Sequence, residues 1–293
     1  MATTKPYRLK GHGTFIPREG WVYKGLMAIR NDTKVLTDKE HGADELGVGA
    51  NMVSSIRYWL YTLGLIAEKK REGYVYTELG NCICQYDPYL EDPVSLWFLH
   101  YELARNEIMA TTWFLFFNEL EVEEFTKNEL NQMMLRQLVL YSGERAEDIT
   151  VSSLESDVNV LLSMYTRDRG KDYDPEDKSV SPFASLGLIK KEGNRFRKVM
   201  PSLDTISKYV VWYGMQDLLR RSGGMYSVQL DSLLGRGGVG KMLQLNRSAL
   251  YSLVEQLSAD GFIELNRTAG LDMIYQSRKY KRAEIAERYY NKR

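Results

Sequence analysis

The clearest hydrophobic pattern in the chain lies within residues 46–66, LGVGANMVSSIRYWLYTLGLI. Its apolar side chains recur as they do on one face of an α-helix. They are Met52, Val53, Ile56, Trp59, Leu60 and Leu63. Gly47 and Gly49 predict a tight turn before this helix, and Gly64 predicts its end. The pattern favours the turn and second helix of a helix-turn-helix over an ordinary helix of a helical protein.

The opposite face of this predicted helix is polar and suits contact with DNA, because such side chains reach phosphates and base edges. The predicted outward residues are Asn51, Ser54, Ser55, Arg57, Tyr58 and Tyr61. Residues 65–77, LIAEKKREGYVYT, predict a hairpin with a charged turn. The basic residues of that turn are Lys69, Lys70 and Arg71. The combination is typical of a winged-helix domain, which we place at residues 1–80.

The segment ahead of this helix predicts a loop and two further helices. His12 lies in a glycine-flanked loop, for which hydrogen bonds within the fold are a simpler explanation than a chemical role. A helix with Trp21, Leu26 and Ile29 inward follows, and Asp38 predicts the start of a second, shorter helix.

The middle of the chain, residues 81–177, predicts an acidic helical domain. Its helices begin with strong capping signals, which are Asp92 before Pro93, the box formed by Thr126 and Glu129, and a second box formed by Ser152 and Glu155. Residues 1–80 carry 12 basic and 9 acidic side chains, residues 81–177 carry 7 and 20, and residues 178–293 carry 20 and 10. The acidic middle suits a basic protein partner, whereas the basic ends suit nucleic acid. Acidic residues also serve simply to solvate helices.

The C-terminal part repeats the pattern of a helix followed by a hairpin. Residues 246–260 predict a helix with Leu250, Leu253, Val254 and Leu257 inward. The residues expected to contact DNA here are Arg247, Ser248, Tyr251 and Arg267. We therefore expect a second winged-helix domain at residues 203–275, after a hairpin-containing connector at residues 178–202. A basic tail, residues 276–293, completes the chain.

Motifs for catalysis are weak. The stretch GRGGVGKM, residues 235–242, has the glycine and lysine spacing of a phosphate-binding loop, but Met242 replaces the hydroxyl that ligates magnesium. Cys82 and Cys84 are too few for a structural zinc site, so we interpret them as packing residues. We expect no cofactor, no metal and no enzymatic activity. The chain has no apolar run long enough to span a bilayer, and a cytoplasmic location is expected.

Five stretches together resemble a bacterial family of unknown function, whose genes often lie beside phosphoadenosine-phosphosulfate-reductase-like and cysteine desulfurase genes of DNA phosphorothioation systems. The stretches are GHGTFIPREGW, LGVGANMVSSIRYWL, DPYLEDPVSLWFLHYELA, SPFASLGLI and RTAGL. The resemblance covers the full chain. It implies a setting in DNA sulfur modification or phage defence, and it supplies no catalytic residues.

We thus expect a mainly α protein with small β-hairpin wings, in which winged helix-turn-helix units flank a helical middle domain. Its expected role is that of a non-catalytic accessory protein that binds double-stranded DNA. The expected protein partner is a phosphoadenosine-phosphosulfate-reductase-like protein or another subunit of a modification complex. The alternatives are a transcriptional regulator of the same gene cluster and a protein-interaction scaffold. An ATPase that uses the glycine loop ranks last.

Overall fold

The computed structural model describes residues 5–166, 180–268 and 271–292, and the chain forms two compact units, Met1–Val199 and Met200–Arg293. Helices make up most of both units, and the strands form small antiparallel sheets. The prediction of a mainly α protein with small β elements is confirmed. No helix in the described ranges combines the length and apolar character needed to cross a membrane.

The first unit begins with three helices and a hairpin. They are α1 (Trp21–Asn31), α2 (Lys39–Leu46), α3 (Ala50–Thr62), β1 (Ile66–Lys69) and β2 (Gly73–Tyr76). The Asp38 carboxylate accepts hydrogen bonds from the N–H groups of Glu40 and His41, and so caps α2 as predicted. Gly47 follows α2 with a φ of 61°, a conformation that favours glycine and turns the chain towards α3.

The apolar stripe of α3 packs into the core, as its periodicity predicts. Val53, Ile56, Trp59 and Leu60 are all buried, and α3 packs against α1 and α2. A Cβ at Gly25 of α1 would lie 2.5 Å from Leu60 Cδ1, so only glycine permits this approach of α1 to α3 without rearrangement.

The helical middle contains five helices within the described residues. They are α4 (Glu78–Tyr86), α5 (Pro93–Ala104), α6 (Thr111–Asn118), α7 (Lys127–Ser142) and α8 (Val151–Tyr165). Nearly every residue of α5 and α6 is buried, as their continuous apolar sequence predicts. Asp92 caps α5 ahead of Pro93, and Thr126 with Glu129 forms the predicted capping box of α7. The box predicted for Ser152 and Glu155 is wrong, because α8 already begins at Val151 and no side chain caps it. Cys82 is buried and Cys84 is partly exposed.

The hairpin of the predicted connector pairs with a strand of the acidic middle. Strands β3 (Glu124–Thr126), β4 (Ile189–Glu192) and β5 (Arg195–Lys198) form one antiparallel sheet in the order β3-β5-β4. Phe125 lies opposite Phe196, and their rings stack with centroids 6.1 Å apart. Ahead of β4, Pro182–Leu186 form a short 3₁₀ helix. The hairpin of the connector therefore belongs to the first unit, which ends at Val199.

The second unit alternates helices with a three-stranded antiparallel sheet in the order β6-β8-β7. Its elements are α9 (Lys208–Arg221), β6 (Ser227–Gln229), α10 (Val239–Met242), α11 (Arg247–Ala259), β7 (Glu264–Thr268), β8 (Leu271–Tyr275) and α12 (Arg282–Asn291). The inward residues predicted for α11 are buried: Leu250, Leu253, Val254 and Leu257.

The residues expected to form a basic tail include a packed helix. Helix α12 buries Ile285, Ala286 and Tyr290 and packs against α9. Some charged side chains of this segment also pair with one another, because Arg278, which precedes α12, and Arg288 both donate hydrogen bonds to Glu284. The sequence reads as a tail because its apolar positions are few and lie between charged ones.

Candidate nucleic-acid interface

Three of the side chains predicted to contact DNA meet on one surface of the second unit. Arg247 begins α11, Tyr251 lies one turn further along that helix, and Arg267 lies on β7. The guanidinium carbon of Arg267 lies 5.3 Å from the centre of the Tyr251 ring, within the range of a cation–π contact. We call these three residues the α11 cluster.

Two carboxylates hold the arginines of the α11 cluster. Arg247 donates from Nε to Asp231 Oδ1 (2.9 Å) and from Nη2 to Asp272 Oδ2 (2.8 Å). Arg267 donates from Nε to Asp272 Oδ1 (3.0 Å). The hydrogen bond from Arg267 lowers the pKa of Asp272, which therefore stays ionised at neutral pH.

The two arginines are fixed in this way while they stay open to solvent. The Asp272 side chain is 4% exposed, whereas those of Arg247 and Arg267 are 50% and 67% exposed. Ser248, also predicted to contact DNA, is exposed next to Arg247. This surface therefore offers two guanidinium groups, a phenol and a hydroxyl to an approaching polyanion.

On α3 the structure divides the predicted outward residues. Ser55 and Tyr58 are 1% and 5% exposed, so the prediction that they face outward is wrong. Ser55 Oγ donates to the His12 carbonyl at 2.9 Å, and Tyr58 Oη donates to the Met109 carbonyl at 2.9 Å. Both hydroxyls fasten neighbouring segments to α3, and those segments cover this side of the helix.

The other predicted residues of α3 differ in exposure. Asn51 is exposed, whereas Ser54 and Arg57 are partly buried. Ser54 and Arg57 line a cavity of about 350 Å³ whose lining also includes residues of the β1–β2 hairpin and the N-terminal segment. We call this cavity the α3 pocket. Its lining includes Arg8, Ser54, Arg57, Tyr61, Glu68 and Tyr74.

The basic residues predicted for the first hairpin lie at its exposed end. Lys69, Lys70 and Arg71 are all exposed, and Lys69 Nζ lies 3.5 Å from Glu72 Oε2. Arg71 has a φ of 72°, a left-handed conformation that closes the turn between β1 and β2. The three side chains are therefore accessible from solvent at the end of the hairpin.

Sequence reasoning missed several residues of both surfaces. Asp272 lies directly opposite Arg267 in the β7–β8 ladder, so the facing charges of this hairpin were a usable signal for their ion pair. Arg8 gave no such signal, because the segment around it has no periodicity and α3 lies far along the chain. Asp231 likewise reaches Arg247 only through the fold.

The loop around His12 is held in the core of the first unit by contacts with distant parts of the chain. His12 is fully buried, its Nε2 lies 2.9 Å from Asp157 Oδ1, and its ring stacks on Trp59 with centroids 5.9 Å apart. His100, also fully buried, contacts the Tyr165 hydroxyl through Nδ1 at 2.7 Å. Across the described ranges, no three His, Cys, Asp or Glu side chains come together as a metal site requires.

The glycine-rich stretch at residues 235–242 is tightly packed within the second unit. Met242 is completely buried at the end of α10. A Cβ at Gly238 would lie 2.3 Å from the Leu233 carbonyl oxygen, so glycine is needed there for packing. Packing alone therefore explains the glycine at position 238, and no phosphate-binding role is needed to explain it.

The fold and these surfaces define a mainly helical protein with small antiparallel sheets and clustered exposed arginines. The chain belongs to the family described as "Protein of unknown function (DUF4007)", whose family model matches residues 9–290. No curated protein matches the chain.

Two solved structures are similar in fold. "SspB crystal structure" has a TM-score of 0.83 and 22% sequence identity, with 99% of this chain and 88% of that chain covered. "Magnesium ion-bound SspB crystal structure" has a TM-score of 0.81 and 22% identity, with 99% of this chain and 94% of that chain covered. The likeness extends over nearly the whole chain and shows a shared fold.

Proposed function

We propose that this protein is a non-catalytic accessory protein that binds double-stranded DNA in a phosphorothioate modification or phage-defence system. The observation that carries the DNA-binding part is the α11 cluster. Two exposed arginines on adjacent elements, both anchored by Asp272, present their remaining guanidinium N–H groups in a fixed geometry. Arginine in such a setting is well suited to phosphate, because its planar N–H groups match the oxygens in pairs.

The order of elements in the second unit supports the interpretation that it is a winged helix. A helix is followed by a strand, two further helices and a two-stranded hairpin, and the first strand pairs with the last. In helix-turn-helix proteins the second helix of the motif enters the major groove and its N-terminal residues contact base edges. Arg247 and Ser248 occupy that end of α11. The first unit has α1, α2, α3 and the β1–β2 hairpin in a similar order.

The setting rests on the resemblance of the sequence to a family whose genes often lie beside those of DNA phosphorothioation systems, and the DUF4007 family model matches residues 9–290. The protein partner we propose is a phosphoadenosine-phosphosulfate-reductase-like protein or another subunit of the modification complex. Exposed acidic residues at Glu121 and Glu123 support a basic surface on that partner. In the proposed complex with DNA, the exposed residues Lys69, Lys70 and Arg71 contact phosphates.

Fluorescence anisotropy with unmodified and phosphorothioated duplexes at several salt concentrations tests the DNA-binding part. Arg247→Ala and Arg267→Ala should each weaken binding and lower the salt dependence by roughly one unit of slope. Arg145→Ala is the matched control, because Arg145 is 76% exposed and lies in the acidic middle. Absence of salt-dependent binding by the wild-type protein, alone or with its partner, would favour the scaffold alternative. Tight binding to one palindromic operator would favour a transcriptional regulator.

The non-catalytic part needs its own test, since one of the two similar structures is magnesium-bound. Supercoiled plasmid incubated with the purified protein and Mg²⁺ should stay supercoiled. Nicked or linear product in an amount proportional to the concentration of this protein would overturn the non-catalytic part of the proposal. The DNA-binding part would be unaffected.

A further inference from the structure

Two arginines of the α3 pocket form no ion pair with any carboxylate that the structure describes. The Arg8 guanidinium contacts Met109 Sδ at 3.8 Å and lies 5.7 Å from the centre of the Tyr58 ring. Arg57 donates to the Leu36 carbonyl at 3.1 Å and lies close enough to Tyr74 for its charge to offset part of the rise that burial causes in the pKa of that phenol. Among residues 5–166, 180–268 and 271–292, neither guanidinium reaches a carboxylate at ion-pair distance. Two positive charges therefore line one cavity with most of their N–H groups available.

A buried hydroxyl lines the same cavity. The Ser54 oxygen is inaccessible to solvent and has no hydrogen-bond partner in the described part of the chain. Buried polar groups in proteins are almost always hydrogen-bonded, because an unpaired one destabilises the fold. A ligand with a suitable polar atom would supply the missing partner once it displaces the side chains that cover this oxygen.

Aromatic side chains complete the lining. Tyr61 is 37% exposed and lines the pocket next to the buried Tyr74. Burial raises the pKa of Tyr74 above its ordinary value, so its hydroxyl stays neutral and can donate a hydrogen bond. An exposed ring beside guanidinium groups is the combination that binds unpaired nucleotides, where the base stacks and the phosphate pairs with arginine.

The position of α3 argues against insertion into a DNA groove. A recognition helix must protrude to enter the major groove, which is about 12 Å wide. Here α3 shares the lining of a cavity with the N-terminal segment, through Arg8 and Gly11, and with the β1–β2 hairpin, through Glu68 and Tyr74. A cavity of about 350 Å³ suits one small ligand, since such pockets span roughly 300–1,000 Å³.

We propose that the α3 pocket binds a single nucleotide, with the phosphate held by Arg8 and Arg57 and the base against Tyr61. Glu68 adds an acceptor for the exocyclic amino group of a base. The nucleotide is either an unpaired residue of a DNA strand or a free nucleotide. The first source rests on the proposed DNA-binding function, whereas the second does not.

Four probes distinguish these sources: a duplex with one unpaired adenosine, the same duplex fully paired, deoxyadenosine monophosphate and inorganic phosphate. Anisotropy measures the duplexes, and calorimetry measures the small ligands. We expect tighter binding of the duplex with the unpaired residue, and binding of the mononucleotide well above that of phosphate. Equal affinity for both duplexes, together with no mononucleotide binding, would overturn the proposal. Phosphate binding as tight as mononucleotide binding would also overturn it, since the base would then contribute nothing.

Variants assign any binding to the pocket. Arg8→Ala should weaken binding of the mononucleotide by roughly tenfold or more, because a hydrogen bond to a charged group is lost. Tyr61→Ala should weaken it by roughly 5- to 150-fold through loss of stacking. Arg8 and Tyr61 are exposed, so both variants should fold, and Arg145→Ala serves as the control. Mononucleotide affinity unchanged in both variants would overturn the proposal.

The outcomes separate this proposal from the proposed function. Binding of both duplexes without preference, and of no mononucleotide, removes the pocket proposal and leaves DNA binding through the α11 cluster. Mononucleotide binding that depends on Arg8, without binding of either duplex, supports the pocket and removes the DNA-binding function.

Discussion

His12 Nε2 lies 2.9 Å from Asp157 Oδ1, although the two residues are 145 positions apart in the chain. Asp157 also accepts hydrogen bonds from the backbone N–H of Lys10 at 2.7 Å and from Thr112 Oγ1 at 2.8 Å. One buried carboxylate on α8 thus joins the N-terminal segment, α6 and α8. The N-terminal segment in turn covers part of α3 and forms one side of the α3 pocket.

Replacement of this carboxylate should destabilise the first unit. Asp157→Ala leaves the buried donors of His12, Lys10 and Thr112 unpaired, and we expect a loss of roughly 3–5 kcal/mol in the free energy of unfolding. Urea unfolding followed by circular dichroism measures the change. Glu155→Ala on the same helix is the control, because Glu155 is exposed. A loss below roughly 1 kcal/mol would show that the hydrogen bonds to Asp157 are not a significant source of stability.

The glycine loop offers a matched pair of substitutions. Gly238→Ala places a Cβ 2.3 Å from the Leu233 carbonyl oxygen, and the resulting strain should cost about 1–3 kcal/mol. Gly235→Ala should be neutral, because its Cβ would meet no atom nearer than 3.5 Å. Thermal melting of the two variants tests this difference. Similar melting temperatures would mean that the loop relaxes freely.

Stability of the second unit should fall in acid through Asp260. The Asp260 carboxylate accepts from Lys208 at 2.9 Å and from Lys292 at 3.1 Å, and hydrogen bonding to Lys208 is the main cause of its lowered pKa. A carboxyl group with a lowered pKa stabilises the fold above its unfolded pKa of about 3.9, and this contribution is lost as pH falls through the folded pKa.

Melting curves between neutral pH and acid compare wild type with Asp260→Asn. The variant should lose part of the decline in stability below about pH 4, because its side chain does not titrate. Glu255→Gln, an exposed change on α11, should follow the wild-type curve. An identical acid decline in wild type and Asp260→Asn would rule out a contribution from these ion pairs.

The first hairpin should contribute non-specific affinity for DNA. Replacement of Lys69, Lys70 and Arg71 by alanine should reduce the salt dependence of binding by up to about three units of slope, since each phosphate contact releases a counterion. Preference among DNA sequences should survive. Binding titrations over a range of salt concentrations measure the slope, and an unchanged slope would place this hairpin away from DNA.

The acidic middle should contribute to partner binding. Glu121→Lys combined with Glu123→Lys should weaken capture of the modification-complex partner and remove part of its salt dependence. Glu124 is left intact because its carboxylate hydrogen-bonds Arg195. Glu91→Lys with Glu155→Lys gives a control of equal charge change at two exposed glutamates. Equal partner capture by the two double variants would assign these glutamates to solvation alone.

The sequence was informative where one element determines its own structure. Periodicity located the buried faces of α3 and α11, and capping signals located the starts of α2, α5 and α7. These features depend on contacts within a few residues, so the local sequence contains them.

Contacts between distant segments could not be predicted in this way. Periodicity places Ser55 and Tyr58 outside the apolar stripe of α3, yet segments near His12 and Met109 cover them. Helical periodicity reports only which side is most apolar, and it does not show what packs on the remaining sides. For the same reason the α3 pocket, which needs Arg8 beside α3, had no signal in the sequence.

Asp272 has a consequence for how the α11 cluster would meet DNA. An arginine that is free in solution loses conformational entropy when it binds phosphate, at a cost of roughly 0.5–1.5 kcal/mol for each immobilised side chain. Arg247 and Arg267 have already lost much of that freedom to Asp272, and their remaining N–H groups are still available. The ordering of the α11 cluster is therefore completed during folding, whether or not a nucleic acid is present.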